Sequence, residues 1–150
     1  MKLVIILFFI AGIASAQTPT FYKMYGGSQS DDARWVQQTS DSSYIMVGYT
    51  QNLSNQNIYL LKIDQYGNII WEKQFGDNPY PDDAFEVHQT IDDGYIIAGL
   101  KGIPDTIIDV WMAVWIIKTN SNGDTIWTRI WNQRSDFISM KQLSDTNYIV

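Results

Sequence analysis

His88 is the only histidine of the chain and the first residue to consider for chemistry. An imidazole titrates near neutrality and is the usual general base. A base needs a nucleophile or an orienting partner, and no motif places a serine, a cysteine or a second histidine beside it. His88 aligns with Gln37 and Lys141 in the other copies of the repeat described below, and shares its strand face with Glu86, opposite Val87. That pattern predicts a solvent-facing position free to vary. Zinc finds no tetrahedral ligand set in a chain with one histidine and no cysteine. Asp32, Asp83 and Asp136 recur at intervals of 51 and 53, the first two directly after Asp31 and Asp82. Such a series could hold calcium through hard oxygen ligands. It could equally accept backbone N–H bonds and fix the entry to a strand. The absence of an Asp-x-Asp-x-Asp-Gly run favours the structural role. These three are the candidate metal residues. Trp111 is the candidate ligand contact: it could stack on a sugar or meet a protein partner, or simply begin a strand.

These residues ride on a repeat. Tyr44-Ile-Met-Val-Gly48 is followed by Lys62-Ile-Asp64, Gly67-Asn68 and Trp71. Tyr95-Ile-Ile-Ala-Gly99 is followed by Lys118, Gly123-Asp124 and Trp127, and a third copy opens at Asp145-Thr-Asn-Tyr148. The tyrosines stand 51 and 53 residues apart. A period near 50 made of short strands predicts an all-β chain, a β-propeller segment of four-stranded antiparallel blades. In copy one the strands fall at 34–39, 44–50, 58–63 and 69–75. Tyr44 to Thr50 is almost continuously apolar, as a strand covered on both faces must be. The turn Asp64-Gln-Tyr-Gly67-Asn68 has its counterpart in Asn120-Ser-Asn-Gly123-Asp124. Glycine supplies the positive φ, and the leading Asp or Asn caps the turn. Trp71 and Trp127 each follow that glycine by four residues, which predicts rings packed between blades. Tyr44, Gly48, Gly67, Trp71, Tyr95, Gly99, Gly123 and Trp127 are therefore read as structural repeat positions. From Tyr95 to Lys118 copy two is five residues longer than copy one, the excess falling near Ile103 to Asp109. Loops on a rigid scaffold commonly carry function.

The run Gly26-Gly27…Asp31-Asp32, Tyr44 to Thr50, Tyr59 to Asp64, Gly67-Asn68 and Trp71 resembles the SBBP β-propeller repeat of secreted bacterial proteins. Its Asp-x-x-Gly-x-x-x-Trp portion is also similar to the PQQ-like quinoprotein repeat. The resemblance implies a non-enzymatic extracellular repeat protein. Copy two departs from it by placing Asn120 where Asp64 stands. The stretch Thr119 to Trp127 only superficially resembles a sialidase Asp box: its tryptophan comes one residue late, and Ser121 occupies the aspartate position.

The chain of 150 residues divides into a leader at 1–16 and a partial propeller at 17–150. Lys2, the apolar run Leu3 to Ile13 and the small-residue site Ala14-Ser15-Ala16 form a secretory signal peptide, the alternative being an N-terminal strand. Within the propeller, 21–25 reads as the outer strand of a preceding blade, since Phe21 to Gly26 matches Trp71 to Gly76 at an offset of 50. Repeat one spans about 31–75, repeat two about 82–131, and repeat three starts at about 136–150. That makes about two and a half blades where propellers use about four to eight, so further blades are expected beyond residue 150. A net charge of −6 without a basic stripe argues against nucleic acid or anionic membranes as partners. No further apolar run approaches a transmembrane span. The function read from these features is a secreted or cell-surface binding module without cofactor, presenting loops to a glycan or a protein. The alternative is the N-terminal part of a propeller enzyme, quinoprotein-like or polysaccharide-cleaving, with its site on other blades. N-terminal sequencing of the exported protein is expected to start at Gln17; a sequence starting at Met1 refutes the leader.

Overall fold

The computed structural model describes residues 3–6, 21–53, 55–76, 79–106, 109–136, 138–143 and 147–149. Every regular element among them is a strand. They are β1 (Leu3–Ile6), β2 (Tyr22–Tyr25), β3 (Asp31–Gln38), β4 (Tyr44–Gln51), β5 (Gln56–Ile63), β6 (Ile69–Phe75), β7 (Asp82–Gln89), β8 (Tyr95–Asp105), β9 (Asp109–Thr119), β10 (Thr125–Arg134), β11 (Lys141–Gln142) and β12 (Tyr148–Ile149). β3-β4-β5-β6 form one antiparallel meander and β7-β8-β9-β10 a second. β1 pairs with β2, and β11 with β12. This is a propeller segment: two complete four-stranded blades, flanked by β2 on one side and the opening strands of a third repeat on the other.

The inner strands begin three residues earlier than the pattern predicts, at Asp31 and Asp82. The apolar count misses that stretch because its anchoring residues are carboxylates. Asp31 Oδ2 accepts the Gly27 N–H at 2.8 Å, and Asp82 Oδ1 accepts the Gly102 N–H at 3.1 Å. The cleavage site expected from the sequence, Ala14 to Ala16, lies outside the described residues.

Alternation explains why the second strand of each blade reads as unbroken apolar sequence. Ile45 and Val47 point to one face with Ile58 and Leu60, and meet Ala84, Val87, Tyr95, Ile97, Trp115 and Ile117 of blade two. Tyr44 and Met46 point to the other with Tyr59, Leu61 and Ile63, where Tyr25 and Phe21 close over them. On the far side of blade two, Ile96, Ala98, Leu100 and Ile116 meet Ile138 and Met140. Each fully buried aliphatic contributes about 1.5–3 kcal/mol, so this stacking dominates the energetics.

Two junctions between successive units use the same contacts. The Phe21 ring lies over Gly67, and the Trp71 ring over Gly123, in the turns joining the third and fourth strands of the following blades. Both glycines have positive φ, +75° and +79°. A Cβ there would stand 2.6 Å from the Phe21 ring and 2.9 Å from the Trp71 ring. The turns themselves are held as expected. Asp64 Oδ1 accepts the N–H groups of Tyr66 and Asn68 at 2.8 Å. Asn120 Oδ1 accepts those of Asn122 and Asp124 at 2.9 Å. The change from Asp to Asn therefore keeps the acceptor that the turn requires. Two residues past each ring, a lysine reaches the side chain after the glycine: Lys23 Nζ to Asn68 Oδ1 at 2.8 Å, and Lys73 Nζ to Asp124 Oδ1 at 2.7 Å. An exposed pair of this kind contributes about 0–1 kcal/mol. The ring supplies the adhesion and the lysine fixes the register.

The two repeat tryptophans differ in burial. Trp71 is half-buried and meets Tyr95 edge to face at 5.7 Å, while its counterpart Trp127 is 38% exposed. Trp71→Ala is expected to cost about 3 kcal/mol and Trp127→Ala about 1 kcal/mol. Gly123→Ala should cost less in a Trp71→Ala background than in the parent, because the left-handed backbone penalty of about 1 kcal/mol then remains without the collision. Chemical denaturation of the four proteins checks this, and additivity would show that ring and glycine do not interact.

Candidate functional site

The chemistry-bearing side chains gather along the inner strands β3 and β7, where the blades meet. Each of these strands has a register irregularity at the same place, between Ala33 and Trp35 and between Ala84 and Glu86. A bulge re-aims the side chain it carries. In blade one that residue is Arg34, which joins two of the three predicted aspartates. Its Nη2 lies 3.0 Å from Asp83 Oδ2 and its Nε 3.4 Å from Asp32 Oδ2. The guanidinium also stands over the rings of Tyr49 and Phe85, at 5.7 and 5.5 Å. Burial pushes the Asp83 carboxyl above its ordinary range, against the pull of Arg34. Asp32 and Asp83 thus share a cation that belongs to the protein, and Asp136 is exposed and outside the cluster. Among the described residues, no three carboxylate or imidazole groups are placed to hold one metal ion. Arg34 escaped the sequence reading because the repeat puts Phe85 in its place; the signal was an unmatched cation two residues after a recurring aspartate.

A second cluster surrounds His88. The residue is half-buried rather than solvent-facing. Its ring meets Trp35 edge to face at 5.6 Å, and Nε2 lies 3.5 Å from Glu86 Oε2. The alignment with Gln37 and Lys141 hid this because Trp35 approaches from the neighbouring blade. Glu86 in turn accepts the Ser139 hydroxyl and the Met140 N–H, each at 2.8 Å. Histidine, carboxylate and serine are therefore neighbours, but in an order unsuited to nucleophilic catalysis. The serine donates to the carboxylate, and the imidazole sits on the carboxylate's other oxygen. Burial opposes the charge on Glu86, yet Met140, Ser139 and His88 hold its carboxyl below the usual range. A carboxylate so stabilised is a weak proton acceptor at neutral pH. What the cluster does is fasten the start of the third repeat to blade two.

The remaining charged groups repeat like the packing. Lys62 Nζ reaches Asp41 Oδ2 at 2.8 Å, and Lys118 Nζ reaches Asp92 Oδ1 at 3.0 Å. Burial works against the Asp41 charge, but Lys62, Thr39 and Ser43 hold that carboxyl far below its usual value. At Gly48 and Gly99 the backbone carbonyls of Asp32 and Asp83 pass close beside the Cα, leaving no room for a side chain.

No family model matches this chain. No curated protein matches it either. No helix among the described residues is long and apolar enough to cross a membrane.

The β8–β9 hairpin departs from the repeat. In blade one the β4–β5 hairpin ends at the pair Gln51↔Gln56. The corresponding pair in blade two is Gly102↔Met112, and the ladder continues through Ile103↔Trp111, Pro104↔Val110 and Asp105↔Asp109. The extra residues of copy two thus lengthen a hairpin by three rungs. Trp111 lies inside β9, half-buried, with Ile103 as its cross-strand partner. Ile107 and Ile108 lie outside the described residues.

The arginine bridge makes a pH prediction. Arg34→Met leaves Asp32 and Asp83 facing each other without their cation. Breaking a buried pair costs about 3–5 kcal/mol; with Arg34 more than a third exposed, about 1–2 kcal/mol is expected at pH 7. The Asp83 carboxyl is already raised and rises further without Arg34. The loss should shrink as the pH falls through that raised value and the group becomes neutral. Thermal melts at pH 7 and pH 4 check this, and a deficit that stays constant overturns it.

Proposed function

We propose that the chain is a secreted, non-catalytic propeller module that binds through the extended β8–β9 hairpin. The observation that carries this reading is the set of three extra rungs with Trp111 on them, which blade two builds and blade one lacks. The charged groups of the inner strands are committed to holding blades together, which leaves the hairpin as the element with a purpose of its own. Strand-borne sites are held more rigidly than loop-borne ones. An indole on such a ladder offers a flat apolar face with a polar edge. Asp105 and the exposed Thr106, toward the tip of the same hairpin, add hydrogen-bonding groups. That combination suits a surface glycan, whose rings present C–H faces and hydroxyl edges.

The leader-like N-terminus supports export, and the likeness of the repeat to SBBP-type sequences supports an extracellular, non-enzymatic role. The exported protein is expected to give a signal on an array of extracellular polysaccharides, and Trp111→Ala should abolish it while the variant still folds, with its thermal midpoint lowered by only several degrees. A silent array combined with binding to intact cells would point to a protein partner instead. Binding undiminished by Trp111→Ala would remove the hairpin from the site.

A further inference from the structure

The outer strand of blade two carries the same adhesive face as its two predecessors, with none of the described residues covering it as they are covered. Trp71, Lys73 and Phe75 pair with Lys62, Leu60 and Ile58, and are half-covered by blade two. Trp127, Arg129 and Trp131 pair in the same way with Lys118, Ile116 and Val114, yet all of β10 is exposed. The strands even share their irregularity, just before Trp71 and just before Trp127. In front of this face lies a groove of about 1020 Å³, floored by Val114 and Ile116 and walled by Ile138 and Tyr148. A smaller hollow of about 480 Å³, bounded by Asp92, Lys118 and Tyr148, meets it at Trp127.

We propose that this face is a docking surface for a β-hairpin of the chain's own repeat type, in which Trp127 covers the glycine of an Asx-x-x-Gly-Asx turn and Arg129 binds the Asx that follows. Two observations fix the occupant. The first is recurrence. Phe21 with Lys23 and Trp71 with Lys73 each engage such a turn, Gly67-Asn68 and Gly123-Asp124. Trp127 and Arg129 stand at the same positions of their strand. Arginine keeps the charge and can engage a carboxylate or amide oxygen with two donors. The second is continuity. Ile138, Met140 and Tyr148 already pack against the neighbouring residues Ile116 and Val114. They stand to blade two as β7 and β8 stand to blade one, where β9 and the Gly123 turn fill the corresponding space. A glycine is required at the turn because any side chain there would strike the indole. This surface is separate from the β8–β9 hairpin and independent of whatever that hairpin binds.

The test uses the whole chain and a backbone-cyclised peptide of residues 56–75, which holds the Gly67-Asn68 turn and is first shown by NMR to be a hairpin. Calorimetry is expected to show one peptide bound per chain, accompanied by a change in tryptophan fluorescence. Trp127→Ala should weaken binding at least about tenfold, as for a central aromatic anchor. Arg129→Ala should weaken it less, and Arg129→Lys should restore it, since lysine serves at the two existing junctions. Both positions are exposed, so each variant should fold, and its melt confirms that it does. A peptide with Gly67→Ala should not bind. The proposal is overturned if the folded hairpin fails to bind, if the Gly67→Ala peptide binds equally well, or if ultracentrifugation shows a dimer that Trp127→Ala dissolves. The last result would mean that a second copy takes the face.

Discussion

Each blade is a sheet with two apolar faces, and the rest follows from that constraint. A sheet with one greasy side can turn its back to water; a sheet with two cannot, and must be covered from both directions. Ile45 and Met46, adjacent in sequence, belong to different cores. No single blade can therefore be stable alone, and stability resides at the junctions, as it does in repeat proteins generally. The side chains with chemical potential have been drawn into those junctions. Arg34 spans Asp32 and Asp83 across two blades, and Glu86 ties blade two to residues 139 and 140.

Much of this was legible in the sequence, because the repeat supplies its own control. Period, strand order, turn chemistry and the spacing from glycine to tryptophan all recur, and recurrence separates framework from exception. The continuous apolar stretch from Tyr44 correctly implied cover on both faces. The all-β fold and the four-stranded blades followed from these features alone.

What escaped notice was cross-blade geometry. Aligning a residue with its counterparts says what it replaces, and nothing of what approaches from the neighbouring unit. His88 looked free because Gln37 and Lys141 stand in its place elsewhere, yet Trp35 meets its ring. Arg34 looked incidental because Phe85 takes its position, yet a bulge turns it onto two carboxylates. Trp127 looked equivalent to Trp71 by spacing, but burial depends on the following unit as well as on the strand itself. The early start of the inner strands was hidden for another reason: buried aspartates anchor it, and hydrophobicity cannot report them.

The junctions also have a direction. The outer strand always offers the ring and the cation; the next blade always offers the glycine turn and an oxygen. Such a joint is unlike on its two sides, as heterologous contacts are, and carries no instruction about number. A two-fold interface ends with its second member, whereas this one can be repeated without change. Whether a series of such units returns on itself or runs on as a spiral rests on the small rotation at each joint. The β2 strand is seated on blade one with a ring and a lysine in place, as the outer strand of blade one is seated on blade two. Both joints therefore point the same way along the chain.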